Sequence, residues 1–355
     1  MSELYEKMLE EEKADRVTRF VHPDIPGLIG FNYTPECQFS KAWNDINIQA
    51  RGLCFYKGKQ VNRTFNKFFN VEEVGTDILF NKEIEYITSK EDGSLIIMFN
   101  LNGQWICHTR GSFKSPQVIA AQELIKDKLG RYMYPGATYL FEYVGPSNKN
   151  VCRTKYDKDE LILLAVITYD GIELNWERLD GIAYSLQLKM PKYFMPSEEL
   201  YNEIKNCSDP NVEGIVVKFK DGTRVKVKSE LYIKLHRVLT GEFTSKRILD
   251  VWLEARQGND LSTLLKEVPD EFFTELNEEL KKVDIRYNNH CIDIYNQYNR
   301  MKLDRRSYDA TRKELALEFP KHTFLLSLIF SEVPISYIQI DAVALQTFIR
   351  KELKG

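Results

Sequence analysis

Residues 84–99 read IEYITSKEDGSLIIMF, in which two runs rich in β-branched and aliphatic residues flank the polar segment SKEDGS (residues 89–94). Such runs predict strands and Asp-Gly predicts a turn, so we expect Lys90 to end one strand and to project at a tight turn. A lysine is a nucleophile only as the neutral amine, and it needs neighbours that lower its pKa, such as other cations or a metal-bound phosphate. Taken alone, the segment is more typical of an exposed hairpin turn than of a catalytic site.

The strand predicted over Arg224–Lys228, RVKVK, carries three cations at alternate positions. Alternation places Arg224, Lys226 and Lys228 on one face and two valines on the other. Like charges on one face repel one another unless an anion lies among them, and a triphosphate is such an anion. The same cations would help to lower the pKa of Lys90. The alternative is an edge strand whose lysines prevent aggregation, and the segment alone does not decide between the two.

Two carboxylates lie within or directly before apolar strands. Glu213 precedes the run GIVV, which a turn joins to RVKVK. A carboxylate followed by glycine suits a hydrated Mg²⁺, because this ion keeps its waters and takes few direct carboxylates. Glu142 lies inside YLFEYV (residues 139–144), where an ionised group is costly without a partner. A ribose hydroxyl would serve as that partner, and a buried ion pair with an arginine is the alternative.

Short strands separated by turn residues extend from about residue 28 to residue 228, with a helix predicted at Ser115–Leu129. The turn pairs are Asp92-Gly93, Asn102-Gly103, Asp170-Gly171 and Asp221-Gly222. After about residue 230 the apolar spacing becomes helical, and no glycine occurs between Gly258 and Gly355. Helices are predicted over Ser245–Arg256, Asp270–Asn299, Ser307–Glu318, Thr323–Glu332 and Asp341–Leu353. We therefore expect an α+β domain with antiparallel sheets over residues 1–240 and an all-α domain over residues 241–355.

Composition limits the classes of protein less than the motifs do. Of the 355 residues 43% are apolar, which is enough for sizeable cores, and the net charge of −3 gives no sign of a nucleic-acid-binding protein. Any polyanion must therefore be held by a local cationic site. The 6 cysteines are scattered without metal-binding spacing, which is typical of reduced cytosolic proteins. No basic, apolar leader and no membrane-length apolar run occurs, so we expect a soluble intracellular protein without a membrane partner.

The motifs together resemble the covalent nucleotidyltransferases, the superfamily of polynucleotide ligases and mRNA capping enzymes. That superfamily carries K-x-D-G, then a glutamate in a strand, then E-G, then K-x-K, and this chain has Lys90, Glu142, Glu213-Gly214 and KVK at 226–228 in the same order. Four short motifs in one order are far more specific than any one of them. The resemblance implies that residues 1–240 form a nucleotidyltransferase (adenylyltransferase) domain.

Within the superfamily the chain is most similar to the phage-type RNA ligases that repair nicked tRNA, the RNA ligase 1 type. Ser94 stands where DNA ligases and capping enzymes typically have arginine, and a helical segment follows K-x-K where they typically have a β-rich oligonucleotide-binding domain. The similarity covers nearly the whole chain. It includes ARG at 50–52, NKFFN at 66–70, RGS at 110–112, PSN at 146–148 and DRRSY at 304–308.

The resemblance implies that Lys90 is the adenylated nucleophile and that Glu213 positions hydrated metal. The implied ATP-binding residues are Arg51 and Lys67 on the phosphates, Lys226 and Lys228 as a phosphate-binding pair, and Glu142 on the ribose. Arg110 stands where relatives often have lysine, and either Phe31 or Tyr33 would stack on the adenine.

The implied reaction is ATP-dependent joining of RNA 5′-phosphate and 3′-hydroxyl ends, with Mg²⁺ or Mn²⁺ and through lysine–AMP and adenylated RNA. The implied substrate is RNA, with nicked tRNA as the expected target, and the protein would be a monomer of the cytoplasm (the host cytoplasm if it is viral). A DNA ligase or a capping guanylyltransferase would use the same chemistry, and an inactive RNA-binding module is the alternative outside enzymes. On the helical domain, Arg305-Arg306 with Arg312-Lys313 is the best candidate for phosphate contacts, although a solvated helix face is the more ordinary interpretation.

Overall fold

The computed structural model describes residues 2–129, 133–148, 152, 155–233, 245–257, 273–330 and 344–349. Contacts between residues divide the chain into two compact units. Within the described ranges, the first unit holds residues 2–233 and the second holds the residues from 245 onward. The boundary predicted at Thr240-Gly241 lies outside the described residues, so the division at residue 240 stays a prediction.

The described residues of the first unit form three sheets. The first sheet has the strand order β1 (Val17–Val21), β2 (Leu28–Tyr33), β3 (Arg51–Tyr56) and β4 (Lys59–Gln60). The second has the order β10 (Glu160–Thr168), β9 (Ala137–Val144), β7 (Ser94–Leu101) and β8 (Gln104–His108). The third has the order β11 (Tyr193–Phe194), β6 (Ile84–Lys90), β12 (Gly214–Phe219), β13 (Arg224–Lys228) and β5 (Phe69–Asn70). Among the described strands every pairing is antiparallel except that of β13 with β5.

Helices cover the outer faces of the second and third sheets. The helices of the first unit are α1 (Glu3–Lys13), α2 (Pro35–Phe39), α3 (Val71–Val74), α4 (Ile78–Asn81), α5 (Pro116–Ile125), α6 (Trp176–Leu186) and α7 (Glu198–Lys205). Helices α5 and α6 bury Val118 and Leu179 against the second sheet, and α7 buries Leu200 against the third. Ser115 caps α5 by accepting a hydrogen bond from the backbone N–H of Val118. The first unit is thus the mixed α+β structure that the sequence predicts.

The connection at Asp92-Gly93 crosses between two sheets. Strand β6 pairs with β11 and β12 in the third sheet, whereas β7 pairs with β8 and β9 in the second. The interpretation of this segment as an exposed hairpin turn is therefore wrong. Turn residues act locally, whereas long-range pairing decides which sheet a strand joins. Asn102-Gly103 does join two paired strands, as does Asp221-Gly222. Lys90 consequently lies where the chain leaves the third sheet for the second.

Strand β13 is an interior strand of the third sheet. It pairs with β12 on one side and with β5 on the other, so the edge-strand interpretation of RVKVK is wrong. Val225 and Val227 are buried in the core beneath α7, whereas the three cations of the strand share the opposite face. The alternation predicted from the sequence is therefore confirmed.

Every regular element described in the second unit is a helix. Its helices are α8 (Ser245–Gln257), α9 (Phe273–Tyr308), α10 (Arg312–Glu318) and α11 (Leu326–Ile329), and residues 344–349 are also helical. Helix α9 runs past the predicted end at Asn299 until Asp309 adopts a left-handed φ of 51°. Residues 258–272 and 331–343 lie outside the description, so an all-α domain stays a prediction. No helix in the described ranges is long and apolar enough to cross a membrane.

Candidate active site

Lys90 and Lys228 flank Gly214 across the third sheet. Because β12 lies between β6 and β13, the register pairs Gly214 with Lys90 on one side and with Lys228 on the other. Glu213 directly precedes β12 and reaches both ammonium groups. Its Oε1 lies 2.8 Å from Nζ of Lys90 and 3.1 Å from Nζ of Lys228. Residues from three separate sequence motifs therefore form one cluster.

Glu213 is a buried carboxylate shared by two cations, with only 2% of its surface exposed. Although burial disfavours the charged form, Lys90 and Lys228 lower the pKa of Glu213 below its ordinary value, so the carboxylate is ionised. Its second oxygen, Oε2, is buried and accepts no hydrogen bond from any described residue. A buried acceptor of this kind suits a hydrated divalent cation, whose waters would donate to it. No cluster of three or more metal-ligating side chains occurs in the described ranges, and an ion held through its waters does not need one.

Two motif glycines are required by close backbone approaches. A Cβ on Gly214 would lie 2.0 Å from the carbonyl oxygen of Val227. A Cβ on Gly93 would lie 2.4 Å from the carbonyl oxygen of Tyr143 and 2.8 Å from Cγ of Glu142. Glycine therefore lets β12 lie directly against β13, and it lets the KEDGS segment lie directly against β9.

Glu142 projects from β9 toward the same cluster. Burial raises the pKa of Glu142 to about 8, while Lys90 and Arg51 act to lower it and Glu213 to raise it. Within the described ranges Glu142 makes no hydrogen bond or ion pair, so a buried pair with arginine is not observed. A carboxyl group that is partly protonated near neutral pH can donate as well as accept a hydrogen bond, which suits a sugar hydroxyl.

The unusual state of Glu142 gives a pH-dependent prediction. Its pKa is about 8 in the folded protein against an ordinary 4.5, so the folded state holds the proton more tightly and loses stability as the pH rises between these values. We expect Glu142→Gln to melt at the same temperature as the parent near the acid end and higher than the parent near pH 8, by roughly 3–8 °C. Thermal unfolding at a series of pH values measures this. Glu177→Gln, at an exposed carboxylate, is the control, and a pH-independent difference for Glu142→Gln would contradict the prediction.

The remaining predicted ATP-binding cations lie on neighbouring elements of the first unit. Lys226 faces the same side of β13 as Lys228 and is 8% exposed. Lys67 is 7% exposed and lies two residues before β5, which pairs with β13. Arg51 begins β3, with its guanidinium 4.7 Å from the centre of the Phe68 ring. Cations buried this far need anionic or π partners, which is consistent with a phosphate-binding role.

Tyr33, not Phe31, lies among these cations. Phe31 is fully buried in a small core with Tyr5 and Phe55. The ring of Tyr33 lies 5.7 Å from Nζ of Lys67, and its hydroxyl accepts a hydrogen bond of 2.7 Å from Arg110. Of the two aromatic candidates for the nucleotide-stacking ring, only Tyr33 is therefore near the candidate phosphate site.

A family model described as RNA ligase matches residues 49–232 of this chain. The chain belongs to the RNA ligase family. The resemblance to RNA ligases drawn from the sequence motifs is thereby confirmed. Lys90 and the predicted phosphate-, ribose- and metal-binding residues lie inside the matched range, whereas Tyr33 precedes it. This match does not distinguish the tRNA-repairing ligases of phages from other RNA ligases, so the more specific likeness stays a prediction.

Other members and structural relatives extend the comparison. A putative bifunctional polynucleotide kinase/RNA ligase of Autographa californica nuclear polyhedrosis virus is 26% identical over 227 residues, covering 54% of this chain and 31% of that protein. The chain thus spans about a third of the length of this curated relative. A putative ATP-dependent DNA ligase from Aquifex aeolicus is 17% identical with a TM-score of 0.51, covering 78% of this chain and 70% of the other, which shows the fold alone. A Naegleria gruberi RNA ligase with PPi is 18% identical with a TM-score of 0.41, covering 49% and 58%.

Two residues of the KEDG element in this RNA ligase family member have structural partners that the sequence did not predict. Asp92 accepts hydrogen bonds from the backbone N–H of Cys152 and from the hydroxyl of Tyr232. Glu91 binds Ser89, Lys155 and Tyr156, and these partners lower its pKa although burial opposes ionisation. The KEDG element therefore binds the segment around Cys152 and the segment around Tyr232, next to Lys90. Except for Ser89, these partners are more than 50 residues away along the chain and give no local sequence signal.

Arg224 is separated from the other cations of β13 by its own counterion. Its guanidinium pairs with Glu173, which also binds Nζ of Lys218 at 3.1 Å and the hydroxyl of Tyr86 at 3.1 Å. Arg224 and Lys218 lower the pKa of Glu173 although burial opposes its ionisation. The expectation that Arg224 shares one anion with Lys226 and Lys228 is therefore wrong, because a carboxylate of this chain already neutralises it.

Removing Glu173 should destabilise the protein. Glu173→Ala leaves the side chains of Arg224 and Lys218, which are 9% and 6% exposed, without their shared carboxylate. We expect the free energy of unfolding to fall by about 3 kcal/mol, measured by urea denaturation. Glu177→Ala, at an exposed position nearby, should change it by less than about 0.5 kcal/mol. Equal midpoints for Glu173→Ala and the parent would contradict this account of the network.

Proposed function

We propose that this protein is an ATP-dependent RNA ligase that joins RNA 5′-phosphate and 3′-hydroxyl ends through a lysine–AMP intermediate on Lys90. The cluster of Lys90, Lys228 and Glu213, in a chain that belongs to the RNA ligase family, carries the proposal. The side chain of Lys90 is 22% exposed, so a substrate can reach it. An ion pair with a purely structural role would not need to be accessible to a substrate.

In the first step, the amine of Lys90 attacks the α-phosphorus of ATP. A P–N bond forms, the bond to the bridging oxygen breaks, and pyrophosphate leaves. The ammonium form of Lys90 must first release one proton to solvent, because only the neutral amine attacks, and the nitrogen releases a second proton as the P–N bond forms. Glu213 holds it through Oε1 and thereby fixes its direction before the nucleotide binds.

Arg51, Lys67, Lys226 and Lys228 form the candidate cradle for the ATP phosphates, and Glu142 is the candidate partner of the ribose. Charge grows on non-bridging phosphate oxygens during transfer, and cations already fixed in a largely buried site stabilise it effectively. A divalent cation, Mg²⁺ or Mn²⁺, would fit beside Oε2 of Glu213 and would supply further charge stabilisation. Lys228 touches both groups of residues, because it also shares Glu213 with Lys90.

The second and third steps concern RNA. The AMP passes from Lys90 to an RNA 5′-phosphate, and a 3′-hydroxyl then attacks that phosphate while AMP leaves. Because every residue assigned to ATP lies before residue 229, the helical unit is the candidate for orienting the RNA ends, with nicked tRNA as the proposed target. On that unit Arg305 donates to the carbonyl of Ile329 and lies over the ring of Phe330, which assigns it a structural contact. Arg306, Arg312 and Lys313 are exposed. We also expect the protein to act as a monomer in the cytoplasm.

A joining assay tests this function. An oligoribonucleotide with a labelled 5′-phosphate is incubated with an RNA 3′-hydroxyl end, the protein and a divalent cation, with ATP or GTP, and in parallel with DNA ends. We expect RNA ends to be joined when ATP is present and not when GTP replaces it. Preferential joining of DNA would indicate a DNA ligase. In a companion incubation of the protein with α-labelled GTP, covalent labelling of the protein would indicate a guanylyltransferase. RNA binding without any covalent chemistry would indicate an inactive module, and each of these three results contradicts the proposal.

A further inference from the structure

A bulge in strand β3 decides to which side of the first sheet Arg51 projects. The register pairs Phe31 of β2 with Leu53 of β3. It pairs the next residue, Asn32, with Arg51, so Gly52 is an extra residue on β3, and it has a left-handed φ of 82°. In a regular strand Arg51 would project to the side of Leu53, which is buried in the core with Phe31. The extra residue turns Arg51 to the opposite side.

On that side Arg51 faces the second sheet. Its guanidinium lies 4.7 Å from the centre of the Phe68 ring, and Phe68 packs against Leu95 and Leu140 of the second sheet. Burial raises the pKa of Glu142 on β9, and Arg51 is near enough to oppose that rise. The bulge therefore directs Arg51 toward the candidate ATP site.

The side chain of Asn62 holds the backbone on both sides of the bulge. Its Oδ1 accepts a hydrogen bond of 2.7 Å from the backbone N–H of Cys54, and its Nδ2 donates one of 2.9 Å to the carbonyl oxygen of Gly52. The first partner can only donate and the second can only accept, so the two contacts fix the orientation of the amide. Asn62 is 2% exposed, and these bonds offset the cost of burying its amide.

His108, the last residue of β8, links this amide to the second sheet. Its Nδ1 lies 2.7 Å from the carbonyl oxygen of Thr109, which can only accept, so Nδ1 carries the proton. Nε2 then accepts the remaining N–H of Asn62 at 3.3 Å. Burial lowers the pKa of His108 to about 4, so the ring is neutral near pH 7 and keeps this acceptor.

The same contact lies directly before a second arginine. Arg110 follows His108 by two residues and donates a hydrogen bond of 2.7 Å to the hydroxyl of Tyr33. A Cβ on Gly52 would lie 3.3 Å from Cα of Arg110 and 3.3 Å from Cε1 of His108, so the bulge touches this segment. Three phenylalanine rings surround His108, and apolar side chains would fill such a core without needing hydrogen bonds. The polar pair is therefore better explained by the bulge that it holds.

We propose that Asn62 and His108 are positioning residues, which direct Arg51 at the phosphates of ATP by holding the bulge at Gly52 against the segment that carries Arg110. The inference rests on the proposed function in taking Arg51 as a phosphate contact. It adds two residues that are themselves too deeply buried to touch a substrate. Their effect is geometric, because a displaced guanidinium loses much of its interaction with a phosphate.

A double-mutant cycle on nucleotide binding tests the positioning role. The probe is α,β-methylene ATP with Mg²⁺, which cannot transfer AMP, and isothermal titration calorimetry gives its Kd. We expect Asn62→Leu and His108→Phe each to raise Kd by about tenfold in the parent. In an Arg51→Ala background the same changes should alter Kd by less than about twofold, because no guanidinium is left to be misdirected. His108→Gln, which keeps an acceptor for Asn62, should stay within about twofold of the parent.

Gln60→Ala is the matched control. The side chain of Gln60 donates to the backbone carbonyl of Asn62 and leaves its amide untouched, so this variant should bind the analogue as the parent does. If Asn62→Leu does not fold, Asn62→Ala, which only removes atoms, gives the same comparison.

Equal rises of Kd in the parent and in the Arg51→Ala background would mean that Asn62 and His108 serve only the fold, and would overturn the inference. A parental Kd for Asn62→Leu or for Arg51→Ala would overturn it as well. A parent that binds the analogue but forms no lysine–AMP adduct with ATP would instead contradict the proposed ligase function, so the two failures are distinguishable.

Discussion

We expect Lys90→Ala and Lys90→Arg each to abolish ATP-dependent RNA joining, with rates at least about 10³-fold below the parent. Alanine removes the nucleophile. Arginine keeps the positive charge beside Glu213, but its guanidinium stays protonated at neutral pH and cannot attack phosphorus. Gel separation of a labelled RNA after incubation with ATP measures the rate. The arginine variant is the sharper test, because it preserves the ion pair while removing the chemistry.

Pre-adenylated RNA provides the control for these variants. The third step uses no lysine adduct, so both variants should still join an RNA that already carries AMP on its 5′-phosphate. Retained joining shows that the variants are folded and bind RNA. ATP-dependent joining by Lys90→Arg at more than about one-tenth of the parental rate would mean that another residue accepts the AMP.

We expect Lys226→Ala and Lys228→Ala to slow transfer of AMP from ATP to Lys90 by roughly 10²- to 10³-fold. Both residues lie on the cation face of β13 and are at most 9% exposed, and we propose that they bind the triphosphate. Single-turnover labelling with ATP measures the rate. Joining of pre-adenylated RNA should fall less, because that substrate has no triphosphate.

The same hairpin offers a matched control. Lys220, at the end of the β12–β13 hairpin distant from Lys90, is exposed and pairs with Glu83, so Lys220→Ala should label at the parental rate. If Lys226→Ala and Lys228→Ala also label at that rate, the cation face of β13 does not bind the nucleotide. In that case these lysines would serve only the fold.

The sequence predicted the local structure of the catalytic unit well and its sheet membership poorly. Alternation within RVKVK and the turn at Asp221-Gly222 predicted the β12–β13 hairpin, because both signals lie within a few residues. The pairing of β13 with β5 brings together segments that are about 150 residues apart, and no periodicity in either segment encodes it. For the same reason Asp92-Gly93 predicted a turn but not that this turn links two sheets.

The candidate site was predictable where a motif fixed the chemistry and hidden where a partner came from elsewhere in the chain. Lys90, Lys228 and Glu213 were predicted from three motifs, and they meet within 3.1 Å. Glu173 was not predicted, because it lies in a loop and its pairing with Arg224 depends on how two sheets face each other. Trp43, whose ring lies 5.6 Å from Nζ of Lys67, likewise follows a short helix without any recognisable pattern.

The central claim is that Lys90 carries AMP, and one labelling experiment tests it most directly. The protein is incubated with α-labelled ATP and a divalent cation, denatured, separated by electrophoresis and digested for peptide mapping. We predict a covalent label on the single peptide that contains Lys90, with a mass increase of one adenylyl group. That label should be stable to base and labile to acid, as a phosphoramidate is, and absent from Lys90→Arg. No covalent label, or a label that maps to any other residue, would contradict the account.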